Sequence, residues 1–109
     1  MYIIFNDYFK GTEADISELF ELNNRHENID KIKEDLKNSS HIVTAIDIDA
    51  GYKIVGIIRS IDNNDQTASI DHIIIHPKYQ NIGIDAMISK RLLEKIKHIE
   101  NISVTHDNR

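Results

Sequence analysis

The sequence predicts an α/β fold: one mixed β-sheet with helices on its faces, in the chain order β-α-α-β-β-β-α-β. Three observations carry that prediction. Short β-branched clusters are bounded by turn residues, apolar positions recur at helical spacing on both sides of them, and the period changes from helical to extended at His41. The 109 residues fit a single domain, 1–109, and 40% hydrophobic content is enough to bury a core. With 13 Lys+Arg against 18 Asp+Glu the net charge is −5, which disfavours nucleic acid as a partner. No apolar run approaches the ~20 residues that span a bilayer, and the amino terminus lacks the basic and apolar regions of a secretory signal, so the expected setting is the cytoplasm with no membrane contact. Zero cysteines exclude disulfides, thiol nucleophiles and Cys-ligated metals.

Tyr2 to Asn6 is an apolar run suited to a strand. Thr12 with Asp15 resembles a capping box for a helix that buries Ile16, Leu19 and Phe20 and ends near Asn23-Asn24. Asn28 caps a second helix, which buries Ile29, Ile32 and Leu36. From His41, residues Ile42, Thr44, Ile46 and Ile48 alternate with Val43, Ala45, Asp47 and Asp49, the pattern of a half-buried strand. Ala50-Gly51 turns the chain into a strand from Lys53 to Ile61, Asn63-Asn64-Asp65 turns it again, and Thr67 to Ile75 completes an antiparallel meander. Gly56, inside its strand, marks a bulge or a close backbone approach. After Pro77 a stripe of Ile84, Ile88, Leu92, Ile96 and Ile99, widened by Met87 and Leu93, predicts a long helix. Ile102 to Thr105 is the last strand, reached by a right-handed parallel crossover.

Chemistry concentrates between Ile73 and Met87, where an apolar strand ends at Pro77 and a loop runs into the long helix. A helix start presents free amides and the positive end of its dipole, and Gly83 lets the backbone approach an anion without an intervening side chain. The same residues also serve simply to shape a strand-to-helix connection, and both readings stand at this point.

Gln80-Asn81-Ile82-Gly83-Ile84-Asp85, after an apolar strand and Pro77, resembles the signature of the GNAT superfamily of N-acetyltransferases. The Lys53 to Ile58 strand, its hairpin and the Ile-rich strand fall in that family's order, and the likeness extends over essentially the whole chain. The resemblance implies a GNAT-like sheet and acetyl-coenzyme A as cosubstrate, with transfer to a primary amine carried by a small molecule or peptide. Main-chain groups of Ile73, Ile74 and Ile75 would hold the pantetheine arm. Amides of Gln80, Asn81, Ile82, Gly83, Ile84, Asp85 and Ala86 would cradle the pyrophosphate, and Asn108 matches the asparagine that opens the family's last helix. Three departures stand out. Ile82 replaces a frequent basic residue, Asp85 replaces a second glycine or alanine, and the chain stops where the family's last helix and two strands would follow.

Asp71 and His72 are the candidate general bases, because they precede the cofactor segment on opposite faces of the strand. A polar residue on a sheet face is also commonly just solvated or hydrogen-bonded. His72 and His76 stand ~13 Å apart along an extended strand, too far to share a metal ion. The shortened end leaves the final strand at a sheet edge, from which we expect a homodimer. The alternative function is a non-catalytic remnant of the same fold, or a dimeric interaction module, with weak or no coenzyme A binding.

Overall fold

The computed structural model describes residues 1–7, 13–26, 28–64 and 66–104. Within them the strands are β1 (Ile3–Asn6), β2 (His41–Asp47), β3 (Lys53–Asp62), β4 (Thr67–Ile75) and β5 (Asn101–Val104). The helices are α1 (Glu13–Leu22), α2 (Ile29–Lys37) and α3 (Ile84–Ile96), with short 3₁₀ turns at Ile48–Ala50 and Pro77–Tyr79. The strands lie in chain order in one sheet. β1 to β4 pair antiparallel, whereas β5 pairs parallel to β4 after the chain crosses over through α3. This is the predicted mixed sheet and element order. No helix among the described residues is long and apolar enough to cross a membrane.

Helices cover both faces. Ile84, Ile88, Leu92, Ile96 and Ile99 pack on Val43, Ala45, Val55 and Ile58, while Ile16, Leu19, Phe20, Ile32 and Leu36 pack on Ile46, Ile54, Ile57 and Ile74. β2 is therefore buried on both faces from Val43 to Asp47, which corrects the half-buried expectation, and Ile48 leaves the strand for a 3₁₀ turn. The stripe on α3 is also narrower than predicted. Met87 and Leu93 are 46% and 43% exposed, since each lies one residue, about 100° of rotation, from a buried neighbour. Asn28 caps α2 through its side chain, which accepts from Asp30 N–H. The proposed cap Thr12 lies outside the described residues.

Two bulges set the geometry of the functional end. Ala45 pairs with Gly56 and Ile46 with Ile54, so Val55 is an extra residue in β3. Gly56 also marks a close approach: a Cβ there would lie 3.0 Å from Ile75 Cδ1 and 3.3 Å from Ile84 Cγ2. The missing side chain lets Ile84, in the first turn of α3, and Ile75, at the end of β4, close over β3. In the second bulge, the single residue between Ile57 and Arg59, Ile58, faces two between Ile74 and Asp71, so the surplus falls at His72-Ile73. It shifts the pleat so that Ala68, Ile70 and Ile75 share the α3 face although their numbers differ in parity.

Candidate functional site

β4 runs into the turn Pro77–Tyr79, which two side-chain contacts fix to the rest of the fold. His76 is buried, and its Nδ1 accepts from Lys78 N–H at 3.2 Å, so the hydrogen of the neutral ring sits on Nε2, 3.2 Å from Glu18 Oε1 on α1. Glu18 also takes Lys53 Nζ at 2.8 Å, and that hydrogen bond, followed by the one from His76, holds its carboxyl below the usual range. Tyr79 Oη donates to Asp47 Oδ2 at 2.7 Å, while Asp47 Oδ1 accepts from the amides of Tyr2 and Asp49. The hydrogen bond from Tyr79 pulls the Asp47 carboxyl down and pushes the Tyr79 phenol up. The rings of His76 and Tyr79 meet edge to face with centroids 5.4 Å apart.

Beyond this anchor the backbone enters the left-handed region at Asn81 (φ +66°) and at Gly83 (φ +89°), residue types that tolerate it. Gly83 is the N-cap of α3 and makes no side-chain capping bond, so the amides of Ile84, Asp85 and Ala86 start the helix without a side-chain acceptor from it. Its carbonyl accepts the first intrahelical bond, from Met87 N–H at 3.1 Å. A Cβ on Gly83 would meet no atom within 4 Å, which leaves the space in front of the helix open on the protein's side.

A cavity of about 330 Å³ lies at this junction and is lined by Asn23, Ile73, Ile75, Tyr79, Gln80, Asn81 and Asp85. Five of the eleven residues named for the cofactor line it: Ile73, Ile75, Gln80, Asn81 and Asp85. Ile73 is 40% exposed beside the bulge, and Gln80, Asn81, Ile82, Asp85 and Ala86 are exposed. Ile74 and Ile84 point their side chains into the core and offer the site only main chain. Asn108 lies outside the described residues.

Sequence reasoning missed Asn23 and Tyr79. The side-chain amide of Asn23 donates to Leu19 O at 2.8 Å and to Ile75 O at 3.1 Å, a link across 52 positions that no local pattern announces. Gln80 Nε2 approaches the same Ile75 carbonyl at 3.5 Å. The helix-end signal at Asn23-Asn24 located the residue but gave no hint of its second partner.

The two candidate bases sit farther back on β4, at the second bulge. Asp71 lies on the α1/α2 face with Oδ2 3.7 Å from Nη2 of buried Arg59, whose Nη1 donates to Asp35 O and, at 3.0 Å, to Ser39 Oγ. Asp71 is therefore a counter-ion as well as a candidate base. His72 occupies the bulge between Asp71 and Ile73, and its side chain lies outside what the structure describes. Among the described residues no three His, Asp or Glu side chains converge as a metal site would require.

The profile of the acetyltransferase (GNAT) family matches residues 2–108. Over 76 residues, 69% of this chain, the sequence is 34% identical to the uncharacterized N-acetyltransferase ycf52 of Pyropia yezoensis and 30% identical to that of Porphyra purpurea. The match covers 44% of each of those proteins, a little under half their length. Among solved structures, a GNAT family acetyltransferase from Streptococcus pneumoniae superimposes with a TM-score of 0.82 at 21% identity, covering 99% of this chain and 78% of that one. An aminoglycoside acetyltransferase from an uncultured soil metagenomic sample superimposes with a TM-score of 0.68 at 14% identity, covering 100% of this chain and 82% of that one. At those identities the likeness is one of fold.

Proposed function

We propose, from the premise that the chain belongs to the acetyltransferase (GNAT) family, that it transfers an acetyl group from acetyl-coenzyme A to a primary amine. The observation that carries this reading is the junction of β4 and α3. A left-handed glycine opens a helix start that carries no side-chain cap, directly beside a cavity of about 330 Å³ at the end of the strand. The residues present fit the cofactor: a pyrophosphate suits the amides of Ile84, Asp85 and Ala86, and Gly83 leaves room for it. Beside the cavity, the main chain of Ile73 and the N–H of Ile75 suit the pantetheine arm.

Bound acetyl-coenzyme A supplies an activated acyl thioester. The chain's own residues orient it through main-chain amides and receive the proton that the acceptor amine gives up as the N–C bond forms and the C–S bond breaks. In this proposal that proton goes to Asp71 or His72, with Arg59 holding the Asp71 carboxylate in place. The acceptor class remains a primary amine on a small molecule or peptide, and the net charge of −5 would favour its approach as a cation. A cytoplasmic setting belongs to the same proposal. A homodimer does too, supported by the exposure of Asn101, Ser103 and Val104 on β5, the edge strand of the described sheet.

One observation favours the non-catalytic alternative. Asp85 is exposed in the first turn of α3 and lines the cavity, so it places a negative charge where the pyrophosphate would sit. Release of free thiol from acetyl-coenzyme A in the presence of a panel of amines separates the two readings. The proposal expects amine-dependent release above hydrolysis, whereas coenzyme A binding without release under any amine would establish the alternative.

A further inference from the structure

We infer that Asn23 is a specificity-determining residue of the cleft, whose side-chain oxygen accepts an N–H from a secondary amide laid along the end of β4. The inference rests on the cofactor reading above and deepens it: the amide is one of those in the pantetheine arm.

The geometry decides what Asn23 has to offer. A carboxamide carries two N–H donors and one acceptor oxygen. Both donors are engaged, one by Leu19 O at 2.8 Å within the last turn of α1 and the other by Ile75 O at 3.1 Å on β4. Both partners are carbonyl oxygens, so the orientation of the amide is fixed by its bonds. Oδ1 has no partner among the described residues, while Asn23 lines the cavity with Ile75 and Gln80. An acceptor is all the residue can present to a ligand.

The state of Ile75 explains why an acceptor is needed there. His76 N–H bonds back to Val55 O on β3, so the neighbouring Ile75 carbonyl points away from β3, toward the free side of the strand. On a bare strand edge the N–H of a ligand amide would pair with such a carbonyl. Here that oxygen already accepts from Asn23 at 3.1 Å, and Gln80 Nε2 stands 3.5 Å away on its open side, so the carbonyl is partly satisfied and screened from a ligand. Asn23 Oδ1 takes over the accepting role one side chain farther out. The end of α1, anchored through Asn23 to β4, thereby selects a ligand with an N–H donor at that point over one with an ester or ether oxygen.

Calorimetric titration with two probes tests this: coenzyme A, and its 3′-phospho-ADP half, which keeps the pyrophosphate and lacks the pantetheine arm. Asn23→Ala should weaken coenzyme A by about 3- to 10-fold, the worth of one hydrogen bond, and leave 3′-phospho-ADP unchanged. Asn23→Ser, which keeps a hydroxyl donor for the carbonyl four residues back, should show the same split in a chain whose helix end is preserved. Equal weakening of both probes would assign Asn23 a purely structural role, and unchanged coenzyme A affinity would remove it from the site. Either result overturns the inference while leaving the cofactor reading intact. A wild-type chain that binds neither probe would overturn the cofactor reading itself, and this inference with it.

Discussion

Tyr79 Oη and Asp47 Oδ2 stand 2.7 Å apart and join the turn before α3 to the end of β2. The sequence separates them by 32 positions, yet this bond ties the start of the 80s loop to the sheet, as the His76–Glu18 contact ties it to α1. Removing the hydroxyl in Tyr79→Phe should lower stability by about 1 kcal/mol in urea unfolding and weaken coenzyme A binding beyond that of a stability-matched core variant. Unaltered unfolding would show that the bond contributes nothing net.

Acid should loosen the same anchor. Glu18 and Asp47 have folded carboxyl values held below their ordinary 4.5 and 3.8 by hydrogen bonds from Lys53 and His76 and from Tyr79. Groups depressed in the folded state contribute stability that is fully present above their ordinary values and is lost as pH falls through the depressed ones. Stability should therefore be flat in these groups near neutrality and decline below about pH 4.5. Glu18→Gln should have a shallower acid limb in unfolding measured from pH 7 downward, and an unchanged limb would remove Glu18 from the account.

Asp85 is an electrostatic test of the pyrophosphate position. Asp85→Asn removes a like charge at an exposed helix start, and coenzyme A should bind roughly fivefold tighter at low salt, with a smaller gain at high salt. The variant should also lose a few tenths of a kcal/mol of helix stability, because an acidic residue in the first turn complements the dipole. Equal or weaker affinity at low salt would place the phosphate elsewhere.

Asp71→Asn and His72→Gln address proton removal. If one of them is the base, that variant should lose about 100-fold or more in amine-dependent thiol release, and the rising pH limb of the rate should go with it. Asp71→Asn should also destabilise the chain, since buried Arg59 loses its counter-ion 3.7 Å away, so its rate must be read beside its unfolding. Unchanged rates in both would leave neither residue in the mechanism.

Element order and the loop that leads into α3 were legible because they depend on local signals: the alternation after His41, the Asn28 cap, the stripe on α3, and Pro77 and Gly83 at the turn. What was not legible depends on tertiary placement. Both faces of β2 are buried because helices pack on both sides of the sheet, which alternation within one strand does not report. The bulge at His72-Ile73 appears only in the register with β3, and it is what puts Ile74 on the α1/α2 face and Ile75 on the α3 face. Asn23 read as a helix end, and its bond to Ile75 follows from how α1 crosses the sheet. Arg59 gave no warning that it would be buried under the end of α2 as the partner of Asp71.

The start of α3 is proposed as a coenzyme A site built on main-chain amides around Gly83. Titrating coenzyme A into the wild-type chain and into Gly83→Ala tests it most directly. The added methyl meets no protein atom within 4 Å, so its effect on the free protein comes from φ +89° alone, about 1–2 kcal/mol of strain. We predict saturable binding at one site in the wild-type chain and a loss of at least about tenfold in the folded variant, because the methyl enters the space the phosphate needs. No saturable binding to the wild-type chain, or equal affinity in a folded Gly83→Ala variant, would contradict the claim.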